Sequence, residues 1–221
     1  MRQELTLLDK YQVYKWVNKV PVGGKIIDTK WVMCEKEGKA LPDPKRYKAR
    51  ITARGFTRWA GIDYHDTYAP VCREESWRLL ICIGLKDKMV IRQYAIEGAF
   101  LNGPLQEDLY VRDAHATGDR AWKLEKSLYG TKQVAHNWNR VTDDNLIGLG
   151  LSRSPDDPGL YFRIQDGSII TIHVDDLLCA FRTHKIQVWE AELRKHPTVE
   201  EKELPNRFLG MDVAWSQEGA K

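Results

Sequence analysis

The chain has 221 residues, 43% apolar and 29% charged, with a formal net charge of +3. This is the composition of an ordinary folded chain, not of a disordered or low-complexity one, and no apolar run approaches the roughly 20 residues a membrane helix needs. So mild a charge does not by itself imply a nucleic-acid partner; where the charges fall matters more than their sum. The N-terminus, MRQELTLLDKY, lacks the apolar core and small-residue cleavage site of a secretory signal, so an intracellular protein without membrane contact is expected. Cys34, Cys72, Cys82 and Cys179 lie far apart. They form no Cys-x-x-Cys pair and no metal spacing with the six histidines, and they read as buried free thiols.

The first predicted element is the strand TKWVMCE, followed by a Gly- and Pro-containing turn, KEGKALPDP, and then RYKARITAR at 46–54. The even positions of that last segment are Arg46, Lys48, Arg50, Thr52 and Arg54, and the odd ones are Tyr47, Ala49, Ile51 and Ala53. Successive side chains on a strand point to opposite faces, so one face is basic and the other apolar. The two segments read as a hairpin with a cationic stripe. That stripe is either a phosphate-binding face or a solvated one.

Residues 75–86, ESWRLLICIGLK, place Trp77, Leu80, Ile81 and Leu85 at helical spacing behind Glu74 and Glu75. MVIRQYAI at 89–96 reads as a buried strand, and Asn102-Gly103 as a turn. A helix is predicted over 135–149, ending near Gly148 and Gly150. Asp157-Pro158-Gly159 marks a turn, LYFRI at 160–164 a strand, and Asp166-Gly167 the strongest hairpin signal in the chain. SIITIHVDDLLCAF at 168–181 sets two adjacent aspartates between two strand-forming runs. A helix is predicted over 184–196 up to Pro197, and RFLGMDVAW at 207–215 reads as a final strand. Strands and helices mixed in this order predict an α+β fold.

Asp175 and Asp176 pose a physical question. Two carboxylates at the tip of an apolar hairpin cost free energy unless something positive neutralises them. A divalent cation would do so, since hard cations take oxygen ligands; the alternative is an Asp-Asp turn in solvent.

Nine segments, in order, give the chain a resemblance: KWV at 30–32, RYKARITARGFT at 46–57, GIDYHDTYAPV at 61–71, GAFLNG at 98–103, LYV at 109–111, KLEKSLYGTKQ at 123–133, DPGLY at 157–161, HVDDLL at 173–178 and RFLGMDV at 207–213. Together they resemble the reverse-transcriptase domain of copia-type retrotransposons. The resemblance implies one reverse-transcriptase-like domain over 1–221, with the fingers and palm of a right-hand polymerase and an antiparallel palm sheet packed on helices. The fingers would span about 1–88 and 104–134, and the palm about 89–103 and 135–221. Nothing in the chain resembles a thumb, a ribonuclease H domain, an integrase or a protease.

By the same resemblance Asp175 and Asp176 are the metal-binding catalytic pair, with Mg²⁺ or Mn²⁺ as the cofactor. Lys48 and Arg50 meet the triphosphate of an incoming nucleotide, and Arg46 and Arg54 extend the basic face toward nucleic acid. Phe100 falls where the family places the aromatic that excludes a ribose 2′-hydroxyl, or else it is a core residue. Tyr129, Gly130, Lys132 and Gln133 fall in the segment contacting nucleotide and template, or else form a turn. A backbone carbonyl near Ile96 is a further candidate metal ligand.

The chain departs from the family at a third carboxylate, expected four residues before the Ala of GAFLNG, where it has Ala95. A methyl group cannot ligate a metal, so impaired catalysis is expected. Glu97, two residues on, is a weak candidate substitute. His173 stands where the family usually has Tyr, and Val134 and His136 stand where it tends to have Pro and Arg. The expected function is therefore a copia-type reverse-transcriptase core of nucleotidyltransferase ancestry, weak or inactive as written. The alternative is a repurposed, non-catalytic module binding nucleic acid or a protein. An RNA or DNA template-primer is the expected partner, gripped weakly without a thumb.

Overall fold

The alternation read from Arg46 onward builds a strand whose apolar face is buried at its far end, where Ile51 is 0% exposed and Ala53 4%. The structure, a computed structural model, describes residues 1–36, 45–55, 67–112, 120–194, 199–202, 207–208, 211–216 and 219–220. The KEGKALPDP turn beyond Lys36, residues 56–66 of the family-like segments, Pro197 and the Leu209-Gly210 pair of RFLGMDV lie outside these residues.

In chain order the elements are α1 (Arg2–Lys10), β1 (Tyr14–Val17), β2 (Ile26–Ile27), β3 (Thr29–Lys36), β4 (Arg46–Ala53), α2 (Glu74–Lys86), β5 (Val90–Ile96), β6 (Pro104–Arg112), β7 (Ala121–Lys126) and α3 (Val134–Gly148). They continue with β8 (Ser152–Arg153), β9 (Leu160–Arg163), β10 (Ser168–His173), β11 (Asp176–Phe181), α4 (Ile186–Arg194), β12 (Val199–Lys202), β13 (Arg207–Phe208), β14 (Met211–Asp212), β15 (Trp215–Ser216) and β16 (Gly219–Ala220). Short 3₁₀ turns lie at Ala99–Asn102 and Thr183–Lys185. The mixed α+β class expected from the sequence is present. Where one final strand was read, β13 pairs with β14 and β15 with β16, as two short antiparallel ladders.

The chain divides into two compact units, one of residues 1–68 and 100–141, the other of 69–99 and 142–221. In the first, β1, β7, β6 and β2 form a four-stranded sheet, and β3 and β4 form a separate antiparallel hairpin with Thr29 opposite Ala53 and Lys36 opposite Arg46. Its core gathers Leu8 of α1, Val13, Ile27, Ile51, Leu101, Val111, Trp122 and Leu128. Helix α1 therefore packs by one stripe, and Glu4, one turn before Leu8, lies on that stripe and is buried.

In the second unit six strands run β12-β5-β11-β10-β9-β8, every neighbouring pair antiparallel. One face packs Leu178, Ala180 and Ile91 against Trp77, Leu80 and Ile81 of α2. On the other face the ring of Trp189, from α4, stacks on Phe181 at 5.0 Å, and its Nε1–H donates to Ser168 Oγ at 2.8 Å. Helix α2 has no side-chain cap of its own. Asp157 supplies one from the β8–β9 connection, accepting Arg73 N–H at 2.9 Å and the Ser76 hydroxyl. A Cβ on Gly159 would sit 2.1 Å from Cys72 N, so only glycine fits the DPG turn against the start of this helix. Asp166-Gly167 makes the β9–β10 hairpin as read, with Gly167 at φ +70° and Ser168 N–H donating to Asp166 Oδ1.

Candidate active site

The residues singled out from the sequence fall into two groups, one in each unit. In the second unit, β10 and β11 pair down to His173 opposite Asp176, leaving Val174 and Asp175 as a two-residue turn. Val174 is at φ +60°. Positive φ suits the mirror-type turns that match strand twist, but it is a strained conformation for a β-branched side chain. The turn is held from β5, whose Ile96 N–H donates to the Asp175 carbonyl at 2.8 Å. Asp175 is exposed and Asp176 half-buried, with Gln93 Nε2 donating to Asp176 Oδ1 at 3.3 Å.

The register places Ala95. It sits directly opposite Asp176 on one side and Glu200 of β12 on the other. Directly opposed residues on antiparallel strands share a face. Glu200, Ala95, Asp176 and His173 therefore form one row across four strands, with a methyl group in second place. His173 Nδ1 is sequestered without a hydrogen-bond partner among the described residues. Glu97 is the first residue past β5 and lies in a turn, not in continued strand. Among the described residues no group of three or more His, Cys, Asp or Glu side chains comes together in a way that could hold a metal ion.

The other group lies in the first unit. Register pairs Lys30 with Thr52, Val32 with Arg50, Cys34 with Lys48 and Lys36 with Arg46. The basic face thus carries five cations, two of them (Lys30 and Lys36) from the partner strand. These two are not conspicuous along β3 alone; its parity brings them to the basic face only once the pairing with β4 is known. Burial, Arg50 and Lys36 push the Lys48 ammonium below its ordinary value, as expected for like charges crowded on one face. Arg54 lies just past β4, and its N–H donates to the Asp28 carbonyl.

The free edge of β4 meets the Tyr129-Gly130 segment, where Ala53 N–H donates to the Tyr129 carbonyl at 2.7 Å. Gly130 is at φ +85°, and a Cβ there would lie 2.2 Å from the Ala53 carbonyl oxygen, so this contact requires glycine. The Arg50 guanidinium lies 5.3 Å from the centroid of the Tyr129 ring, and Phe100 meets that ring edge-on at 6.1 Å. Arg50 Nε is sequestered without a hydrogen-bond partner among the described residues. Gln133 is 4% exposed, and its Nε2 reaches both carboxylate oxygens of Glu107 at 2.9 Å. Lys132 is exposed. Arg50, Phe100, Tyr129 and Gly130 are thus one cluster, and Glu107, the Gln133 partner, carries no motif that singles it out in the sequence. His136 Nδ1 lies 3.0 Å from the Tyr68 carbonyl, an oxygen that can only accept.

Comparison with known proteins bears on the family of the chain. The family described as "Reverse transcriptase (RNA-dependent DNA polymerase)" matches residues 11–221. The chain is 32% identical, over 189 residues, to the retrovirus-related Pol polyprotein from transposon TNT 1-94 of Nicotiana tabacum, which covers 80% of this chain and 14% of that polyprotein. It is 31% identical over 160 residues to the corresponding polyprotein of transposon RE1 of Arabidopsis thaliana, covering 69% and 11%. With that of transposon RE2 from the same plant the identity is 28% over 201 residues, covering 87% and 14%. The chain thus spans about one seventh or less of the length of these relatives. With the ordered motifs and the acidic hairpin, these matches place the chain in the reverse-transcriptase family, in its copia-type retrotransposon branch.

Proposed function

We propose that the chain is the fingers-and-palm part of a copia-type RNA-directed DNA polymerase, keeping the phosphate-binding face but lacking a complete metal clamp. The first unit is read as most of the fingers and the second as most of the palm; against the bounds expected from the sequence, 69–88 fall in the second unit and 100–103 and 135–141 in the first. In the fingers, five cations on one face and an Arg50 Nε without a hydrogen-bond partner, both among the described residues, support binding of phosphate, whose oxygens accept from such donors. Phe100, edge-on to the Tyr129 ring, is read as the residue facing the sugar.

In the palm, the carrying observation is the pairing of Ala95 with Asp176. Polymerases of this kind work with divalent cations, which demand oxygen donors at close range. Asp175 and Asp176 supply such donors. Ala95 supplies none, and no three-ligand group forms among the described residues. The donor set does not fit a two-ion clamp, so the chain binds nucleotide and template phosphates better than it turns them over. That balance also supports the second reading, a retained nucleic-acid-binding module.

Primer extension on an RNA template separates the two readings. The chain as given is expected to extend weakly or not at all, and Ala95→Asp to extend by at least about tenfold more, since a lost transition-state contact lowers the rate directly. Equal extension by both would show that the third carboxylate is dispensable.

A further inference from the structure

Two carboxylates are buried among the described residues, Glu4 and Asp157. Asp157 is accounted for by the helix it caps. Glu4 is not. It is 6% exposed, on the α1 stripe that otherwise presents leucines to the core. A leucine there would be the default, because a buried acid must be compensated. Its Oε1 accepts Ile51 N–H at 3.3 Å, a long bond from the edge of β4 that β3 does not cover. Burial pushes the Glu4 carboxyl above its ordinary value, and the Ile51 amide, Arg50, Lys48 and the Met1 amino group pull it back.

Arg50 and Lys48 are the central cations of the basic face, and they repel each other and Lys36. Among the described residues Glu4 is an acid whose field opposes that repulsion at Lys48. The same edge of β4 is pinned one pair further on by the Tyr129 carbonyl, which fixes where Arg50 meets its aromatic neighbour.

We propose that Glu4 is a positioning residue for the cationic hairpin: it pins the edge of β4 and serves as an internal counter-charge to Lys48 and Arg50, which an incoming phosphate chain must outcompete. The proposal rests on reading this hairpin as a phosphate-binding face. Two roles of one side chain separate by substitution. Glu4→Gln keeps an acceptor for Ile51 N–H and removes the charge. Glu4→Ala removes both, leaving a buried amide unpaired.

The test is calorimetric binding of sodium tripolyphosphate to the whole chain, without metal, at low and at moderate salt. The unaltered chain is expected to bind. Glu4→Gln is expected to bind about three- to tenfold more tightly at low salt, with the gain shrinking as salt screens it. Glu4→Ala is expected to melt at a lower temperature than Glu4→Gln. A merely structural Glu4 would make neither variant bind better. If the unaltered chain binds while Glu4→Gln binds equally or more weakly, the counter-charge role is overturned and the phosphate face stands. If the unaltered chain does not bind even at low salt, the phosphate reading of the hairpin falls, and this proposal with it.

Discussion

Asp157 is 3% exposed and still ionised, because its two oxygens meet donors from Arg73, Ser76 and Gly159. Burial works against its charge, but these donors outweigh it and hold the carboxyl below the ordinary 3.8. A depressed carboxylate stabilises the fold above its unfolded pKa, and that contribution fades as the pH falls through the folded value. Asp157→Asn loses one acceptor and presents an amide to Arg73 N–H, so it is expected to cost about 1–3 kcal/mol near neutral pH. Urea denaturation would measure the loss, and the gap between the two proteins should close in acid below pH 3.8. No gap at neutral pH would mean that α2 does not depend on this cap. The Asp-Pro-Gly turn was legible in the sequence as a turn. Its role as a cap was not, since donor and acceptor stand 84 residues apart.

At the scale of elements, the β3–β4 hairpin was the most legible part, because strict alternation of basic and apolar residues has one physical reading. Less was legible where the signal depends on a partner. Lys30 and Lys36 join the basic face only through register, and Glu4 becomes conspicuous only once α1 is seen to bury its stripe. The motif RFLGMDVAW looked continuous, but Phe208 pairs with Met211, so a uniform apolar character concealed a reversal. If the hairpin is a phosphate face, Arg50→Gln should weaken binding of a single-stranded oligonucleotide and lower its salt slope by about 0.7, the value for one phosphate contact on a single strand. An unchanged slope would remove Arg50 from the phosphate contact.

At the scale of the molecule, the six-stranded sheet performs the decisive juxtaposition. Asp176 and Ala95 lie 81 positions apart in the chain and become direct neighbours only through the β5–β11 pairing. No periodicity within either segment announces this; the ordered resemblance to a polymerase family did, and the register places the expected pair side by side. Glu200, on the far side of Ala95, was invisible to the same reading, because its strand pairs with β5 from the other edge. If Asp175 and Asp176 are a metal-binding pair, the Ala95 methyl group stands where a third oxygen would complete it, and manganese binding followed by electron paramagnetic resonance shows whether that oxygen is needed. The unaltered chain is expected to take up Mn²⁺ weakly, and Ala95→Asp at least about tenfold more tightly, with the gain lost when Asp176→Asn is added. Two Mn²⁺ ions bound tightly by the unaltered chain would contradict the account.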